Sequence, residues 1–130
     1  MLRLLVVDDE HDICDFVRNF FKERSFDVKV AHNGAEAIAH VESYRPDIVL
    51  LDMRMPVLNG METLKRIRKR DEGIKVIMVT AVDDVAKAEE AKSHGVSEYI
   101  TKPLLLEQLE RTVMTIAEQI KMNKGCSVGG

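Results

Sequence analysis

The 130-residue chain is 45% hydrophobic and 32% charged, ordinary proportions for a single globular domain long enough to bury a core without disulfide or metal staples. A formal net charge of -3 argues against a general nucleic-acid or membrane surface, because domains that track phosphates are clearly basic. The two cysteines, Cys14 and Cys126, make neither a CxxC pair nor a disulfide framework, which fits a reducing cytosol. The apolar start is too short for a secretory segment, and no run approaches the roughly 20 apolar residues that span a bilayer. The expectation is a soluble, unprocessed, cytoplasmic protein with no membrane partner and no direct nucleic-acid contact.

In chain order, short aliphatic or β-branched runs alternate with amphipathic ones. Leu2 to Val7 predicts a first strand, and Ile13, Phe16, Val17, Phe20 and Phe21 recur behind it at helical spacing, with acids at the end the helix dipole favours. Val28 and Val30 mark a short second strand. Asn33, with Glu36 three residues on, is placed to cap a second helix from Ala35 to about Ser43, and Pro46 ends that unit. Asp47 to Leu51 is the third strand; after a turn-rich segment, Met61, Leu64 and Ile67 form the inward stripe of a third helix. The fourth strand is Val76-Ile77-Met78-Val79. Asp83 can cap a fourth helix with a small inward face of Ala88 and Ala91, and Gly95 suits its left-handed C-terminal position. Ser97 to Ile100 is the fifth strand, and Leu106, Leu109, Val113, Ile116 and Ile120 carry the fifth helix. Their spacing also fits a coiled-coil seam, but two heptads favour packing on the sheet; if Ile116 and Ile120 lie past the sheet, they are available for dimerisation. The domain is expected to span 1–122, with 123–130 a flexible tail or the start of a linker.

Strands of nearly unbroken apolar character separated by helices imply a parallel sheet covered on both faces, an α/β three-layer doubly wound (βα)5 domain. Ligands of such sheets bind at the carboxyl ends of the strands. The polar residues obey that rule: Asp8 and Asp9 end the first strand, Asp52 the third and Thr80 the fourth, and Lys102 follows the fifth. Two like charges about 4 Å apart repel by roughly 4 kcal/mol at an effective dielectric near 20, so a hard divalent cation is the natural neutraliser. Mg2+ is commonly held by one or two carboxylates plus a phosphate. A carboxylate can also accept a phosphoryl group as a nucleophile, while an ammonium and a hydroxyl stabilise the other oxygens.

The segments Val7-Asp8-Asp9-Glu10, Asp52-Met53-Arg54-Met55-Pro56 with Gly60, Val79-Thr80-Ala81, and Tyr99 followed by Thr101-Lys102-Pro103 resemble the receiver domain of two-component response regulators, from about Leu2 to Ile120 in order and spacing. The resemblance implies a flavodoxin-like sheet of five parallel strands in the order 2-1-3-4-5. It implies that Asp52 is the phosphoacceptor, loaded by a histidine kinase or a histidine phosphotransfer protein. Asp9, Asp52 and the backbone carbonyl of Arg54 would ligate Mg2+, with Mn2+ as a substitute, and Asp8 would act largely through water. Lys102 would contact the phosphoryl group from a cis bond to Pro103, which is affordable only before proline. Thr80 would move toward the phosphoryl group as Tyr99 turns inward, and the face of helix 4, strand 5 and helix 5 would report the change. Its reader would be a downstream protein or an effector domain, with homodimerisation on activation a further outcome. Arg54 and Val82, two residues beyond Asp52 and Thr80, would tune the access of water. Kinase docking would fall near Ile13, Pro103 and Leu104. Such a protein is a signalling phosphoacceptor rather than an enzyme, limited to self-phosphotransfer and autodephosphorylation.

The competing class is a Mg2+-dependent phosphohydrolase that works through an aspartyl phosphate. Those resembling haloacid dehalogenases carry a second Asp two residues beyond the nucleophile, whereas Asp8 is followed at that offset by Glu10 and no cap insertion exists. A nucleotide-binding domain is disfavoured by the lack of GxGxxG and GxxxxGK[ST]. Taken singly, the residues read plainly: Asp8 and Asp9 as helix-start charges, Asp52 as a turn cap, Tyr99 as a core aromatic. His11, His32, His40 and His94 read as solvated surface, Met53, Met55 and Met61 as packing, and Cys14 as partly buried. The joint occurrence with Thr80 and Lys102 is what singles out the acids.

Overall fold

A strand covered on both faces needs apolar residues at consecutive positions; of the five runs, the three central ones meet that condition, and the two at the sheet edges mix polar with apolar residues. The five form β1 (Arg3–Val7), β2 (Asp27–Ala31), β3 (Ile48–Asp52), β4 (Lys75–Thr80) and β5 (Glu98–Thr101), paired in parallel in the order β2-β1-β3-β4-β5. Leu4 stands opposite both Val28 and Ile48, Val49 opposite Val76, and Val79 opposite Ile100. The connecting helices are α1 (His11–Lys22), α2 (Gly34–Tyr44), α3 (Gly60–Arg70), α4 (Val85–Ser93) and α5 (Leu106–Gly129). This is the doubly wound α/β architecture and strand order expected from the sequence. The computed structural model describes residues 1–81 and 85–129, with 85, 87, 88 and 124–129 described by backbone alone. Val82 and the cap expected at Asp83 lie outside the described residues.

Side chains alternate along each strand, and so two cores form. Leu4, Val6, Leu50, Ile77, Val79 and Ile100 face α1 and α5, where Val17, Phe21, Leu109 and Val113 meet them. Leu5, Val7, Val49, Leu51, Val76 and Met78 face the other layer and pack on Ala37 and Val41 of α2, Leu64 and Ile67 of α3 and Ala91 of α4.

Local chemistry sets the helix ends. Asn33 Oδ1 accepts the Glu36 backbone N–H at 2.8 Å, and the Glu36 carboxylate in return accepts from the Asn33 amide at 3.1 Å and from the His32 backbone N–H at 3.0 Å, a reciprocal N-cap. Asn59 caps α3 in the same way through the Glu62 N–H. Arg68 ties α3 to the end of α4, donating to the carbonyls of His94 at 2.7 Å, Gly95 at 2.8 Å and Ile74 at 2.6 Å.

The structure differs from the sequence reading on the buried face of α1. Phe16 is 60% exposed, and Cys14 takes its place in the core. Residues 14, 17 and 21 define the buried face of α1, and at about 100° per residue position 16 falls about 130° away from its centre. Ile116 is buried and Ile120 packs against the same core, in keeping with the favoured packing of this helix on the sheet. The backbone of α5 is helical to Gly129; neither proline nor a left-handed cap interrupts it. Val57, fully exposed after Asp52, holds φ of 66°, a conformation costly for a β-branched residue.

Candidate functional site

The carboxyl edge of the sheet assembles the site one strand at a time. Asp8 follows β1, its backbone N–H donating to Ala31 at 3.1 Å, and only 6% of it is exposed. Asp9, next in the chain, is exposed. Asp52 is the last residue of β3 and is 3% exposed. Beyond it, Met53 N–H donates to Val79 at 2.9 Å, and Gly60 N–H at the start of α3 donates back to Met53 at 2.9 Å. The loop after the acid is therefore clamped on both sides. Thr80 ends β4 and is buried; Lys102 N–H donates to its carbonyl at 2.7 Å, and the Lys102–Pro103 bond is cis.

Asp8, Asp9 and Asp52 each offer a carboxylate oxygen, all within 4.8 Å of one another. Among the described residues this is the cluster whose oxygens suit a metal ion, and an all-carboxylate donor set with one exposed member fits a hard divalent cation that keeps some of its water. On the opposite side, Lys102 Nζ stands 3.3 Å from Asp52 Oδ1. Burial pushes the Asp52 pKa up; Lys102, by charge and by hydrogen bond, and the Arg54 backbone N–H at 3.4 Å oppose it, while Asp9 adds to it. Asp8 is pushed up to about 6, first by burial and further by Asp52, against the pull of the Glu10 N–H at 2.9 Å and of Lys102. A cavity of about 140 Å³ opens onto Asp8, Asp52 and Lys102, with Ile13, Pro103 and Leu104 at its walls.

These shifts carry a stability consequence with a definite sign. Without a divalent cation the Asp8 carboxyl holds more of its proton in the folded protein than in the unfolded chain, between the ordinary carboxylate range and about pH 6. Stability is gained below that window and lost as pH rises through it. Asp8 contributes on the order of 2 kcal/mol to this loss. Urea unfolding in chelator should show wild type weakening relative to Asp8→Asn from pH 4 to pH 7, and saturating Mg2+ at pH 7 should reverse the difference. Parallel pH curves for the two proteins would contradict the assignment.

The remaining residues divide. Arg54 has an exposed side chain. Tyr99 is half-buried against the second core, under α4, and not among the acids. His11 and His32 stack with ring centroids 3.7 Å apart and planes 10° from parallel, and His32 Nδ1 lies 3.4 Å from the Asp8 carbonyl. The sequence alone presents both as separate surface residues, because only the pairing of β1 with β2 brings their loops together. His40 and His94 are not part of this edge. Cys14 Sγ donates to the Asp8 carbonyl at 3.3 Å, and burial pushes the thiol up to about 12, so it acts as a packing residue behind the acid and not as a nucleophile. None of the described helices is long and apolar enough to cross a membrane.

The sequence pattern of the response regulator receiver domain matches residues 4–114. The chain is 37% identical over 108 residues to the transcriptional regulatory protein TrcR of Mycobacterium tuberculosis, covering 83% of this chain and 42% of that protein. It is 31% identical over 121 residues to the response regulator MprA of Mycobacterium ulcerans, covering 93% of this chain and 52% of that one. It thus spans about half the length of the curated relatives it matches. Among solved structures, the Vibrio cholerae chemotaxis protein CheY4 superposes with a TM-score of 0.83 at 29% identity, over 89% of this chain and 98% of that one. The Francisella response regulator 1452 receiver domain does so with 0.84 at 30% identity, over 92% and 99%.

Proposed function

Since the chain belongs to the response regulator receiver domain family, we propose that it is a phosphorylation switch of a two-component system in which Asp52 accepts a phosphoryl group from a phosphohistidine protein. The observation that carries this reading is the pairing of Asp52 with Lys102 at 3.3 Å beside two further carboxylates, at the mouth of a cavity at the sheet's carboxyl edge. An Asp52 oxygen attacks phosphorus, the P–N bond to the donor imidazole breaks, and the leaving nitrogen keeps the electron pair. Lys102, which balances the Asp52 charge beforehand, then faces an oxygen of the phosphoryl group, and the Thr80 hydroxyl donates to another. Asp9, Asp52 and the Arg54 carbonyl would hold Mg2+, or Mn2+ in its place, with Asp8 at longer range. When bound, the cation would neutralise the acids and stabilise the negative charge that develops on the phosphoryl group.

Thr80 drawn toward the phosphoryl group leaves room along its own sheet face, into which Tyr99 turns. Such a shift needs about 5.5 kcal/mol of differential stabilisation to run from 1:99 to 99:1. The reader is an effector or a partner protein at the face of α4, β5 and α5, and the protein works in the cytoplasm, where its donor is a histidine kinase or phosphotransfer protein. A groove of about 330 Å³ beside the mouth, lined by Ile13, Phe16, Leu104 and Leu109, supports docking of that donor there. Incubation with acetyl phosphate and Mg2+ is expected to add one phosphoryl group per chain by intact-mass spectrometry, and Asp52→Asn should abolish it. Equal labelling of the variant would remove Asp52 from the role, and sustained turnover of small phosphate esters would favour a phosphohydrolase instead.

A further inference from the structure

Tyr99 is neither free in solvent nor locked in the core. It stands opposite Met78 in the pairing of β4 with β5 and packs, half-buried, against the second core. Because side chains alternate along a strand, Thr80, two residues beyond Met78, occupies the same sheet face one step toward the acid edge. The ring and the hydroxyl are thus successive occupants of one face beneath α4. Lys92, in the last turn of α4, places its ammonium 5.0 Å from the Tyr99 ring centroid, within cation–π range. Glu89, one turn earlier, lies 3.4 Å from the same nitrogen. Hydrogen bonding to Tyr99, and then to Glu89, pushes the Lys92 pKa up. The backbone just beyond is tethered by Arg68 through the His94 and Gly95 carbonyls, so the ammonium sits on an anchored helix end.

We propose that Lys92 is a positioning residue of the switch: its ammonium, braced by Glu89, holds the Tyr99 ring in the unphosphorylated position and so sets how readily phosphorylation at Asp52 moves it. The inference rests on reading Asp52, Thr80 and Tyr99 as one switch. A ring that turns away from α4 gives up the cation while the end of α4 remains tied to α3, and the contact therefore favours one of the two states, as any device that biases an equilibrium must. Exposed cation–π contacts are weak, and losing this one should change the equilibrium about two- to five-fold. That is enough to tune a switch without locking it.

The chain has two tyrosines and no tryptophan, which makes the ring directly observable. With 3-fluorotyrosine incorporated in the full chain, fluorine NMR should show two resonances. Tyr99→Phe assigns them, and Tyr44, at the opposite end of the sheet, serves as the internal reference. Beryllofluoride with Mg2+ mimics the phosphoryl group and should move the Tyr99 signal. Lys92→Gln and Lys92→Met should shift the unactivated signal toward the beryllofluoride position and tighten beryllofluoride binding about two- to five-fold. Lys92→Arg, which keeps the cation, should stay with wild type. Neutral variants that match wild type in both readouts, or an arginine variant that shifts as far as glutamine, would overturn the role of Lys92. A Tyr99 signal that ignores beryllofluoride in wild type, while binding itself is intact, would instead overturn the switch reading and the inference with it.

Discussion

Gly60→Ala is expected to destabilise the protein by about 3 kcal/mol, although alanine is the better helix former by about 1 kcal/mol. A Cβ at position 60 would stand 2.3 Å from the Asp52 carbonyl oxygen and 2.6 Å from Met53 Cα, both backbone atoms of the clamped segment. No side-chain rotation relieves such a contact. Either α3 backs away, losing the Gly60 N–H to Met53 bond and opening the core around Leu64, or β3 shifts at its last residue and moves the candidate phosphoacceptor. The sterics exceed the propensity gain, and the sign follows. Gly73→Ala is the control, because there the nearest atom is a carboxylate oxygen of exposed Asp71 at 3.2 Å, which can swing aside. Urea midpoints of the two variants test the contrast, and a Gly60→Ala midpoint at or above wild type would show that the close approach is not a constraint.

Lys102→Met should slow phosphorylation of Asp52 by acetyl phosphate about 100-fold or more at neutral pH and constant Mg2+. Two effects add. The variant lacks the cation facing the transferred group, and burial then raises the Asp52 pKa without the largest opposing influence. Only the ionised carboxylate is a nucleophile, so the acidic limb of the rate profile should move to higher pH in the variant and part of the rate should return on raising pH. The stability effect should be small by comparison, since Lys102 is 36% exposed and Asp52 can take up a proton when its partner is gone. A variant with a lower rate but an unshifted profile would mean that Lys102 acts on the phosphoryl group alone.

Much of this site could be read from the chain itself. An apolar run that ends abruptly in a carboxylate signals a strand delivering its acid to a sheet edge, and this happens at Asp8 and at Asp52. Parallel topology then brings such ends together, so convergence follows from the alternation of strands and helices. Asn33 is legible for a similar reason: a cap is a contact between residues three apart, and no distant part of the fold decides it. Phe16 was misplaced because a helix with five large apolar residues offers more than one plausible stripe, and the choice depends on which face the sheet presents to it.

By itself, then, the sequence determined the strands, the helices and the Asn33 cap, the order of the polar residues along one edge, and the family, because all of these are written in local periodicity or in motif spacing. Tertiary structure alone decided the contacts between residues whose separation in sequence carries no signal. The close approach at Gly60 exists only once α3 lies against the backbone of β3, the stacked imidazoles of His11 and His32 meet only across adjacent loops, and Lys92 reaches Tyr99 only because α4 ends above β5. Packing distance, which no residue pattern encodes, separates the two sets.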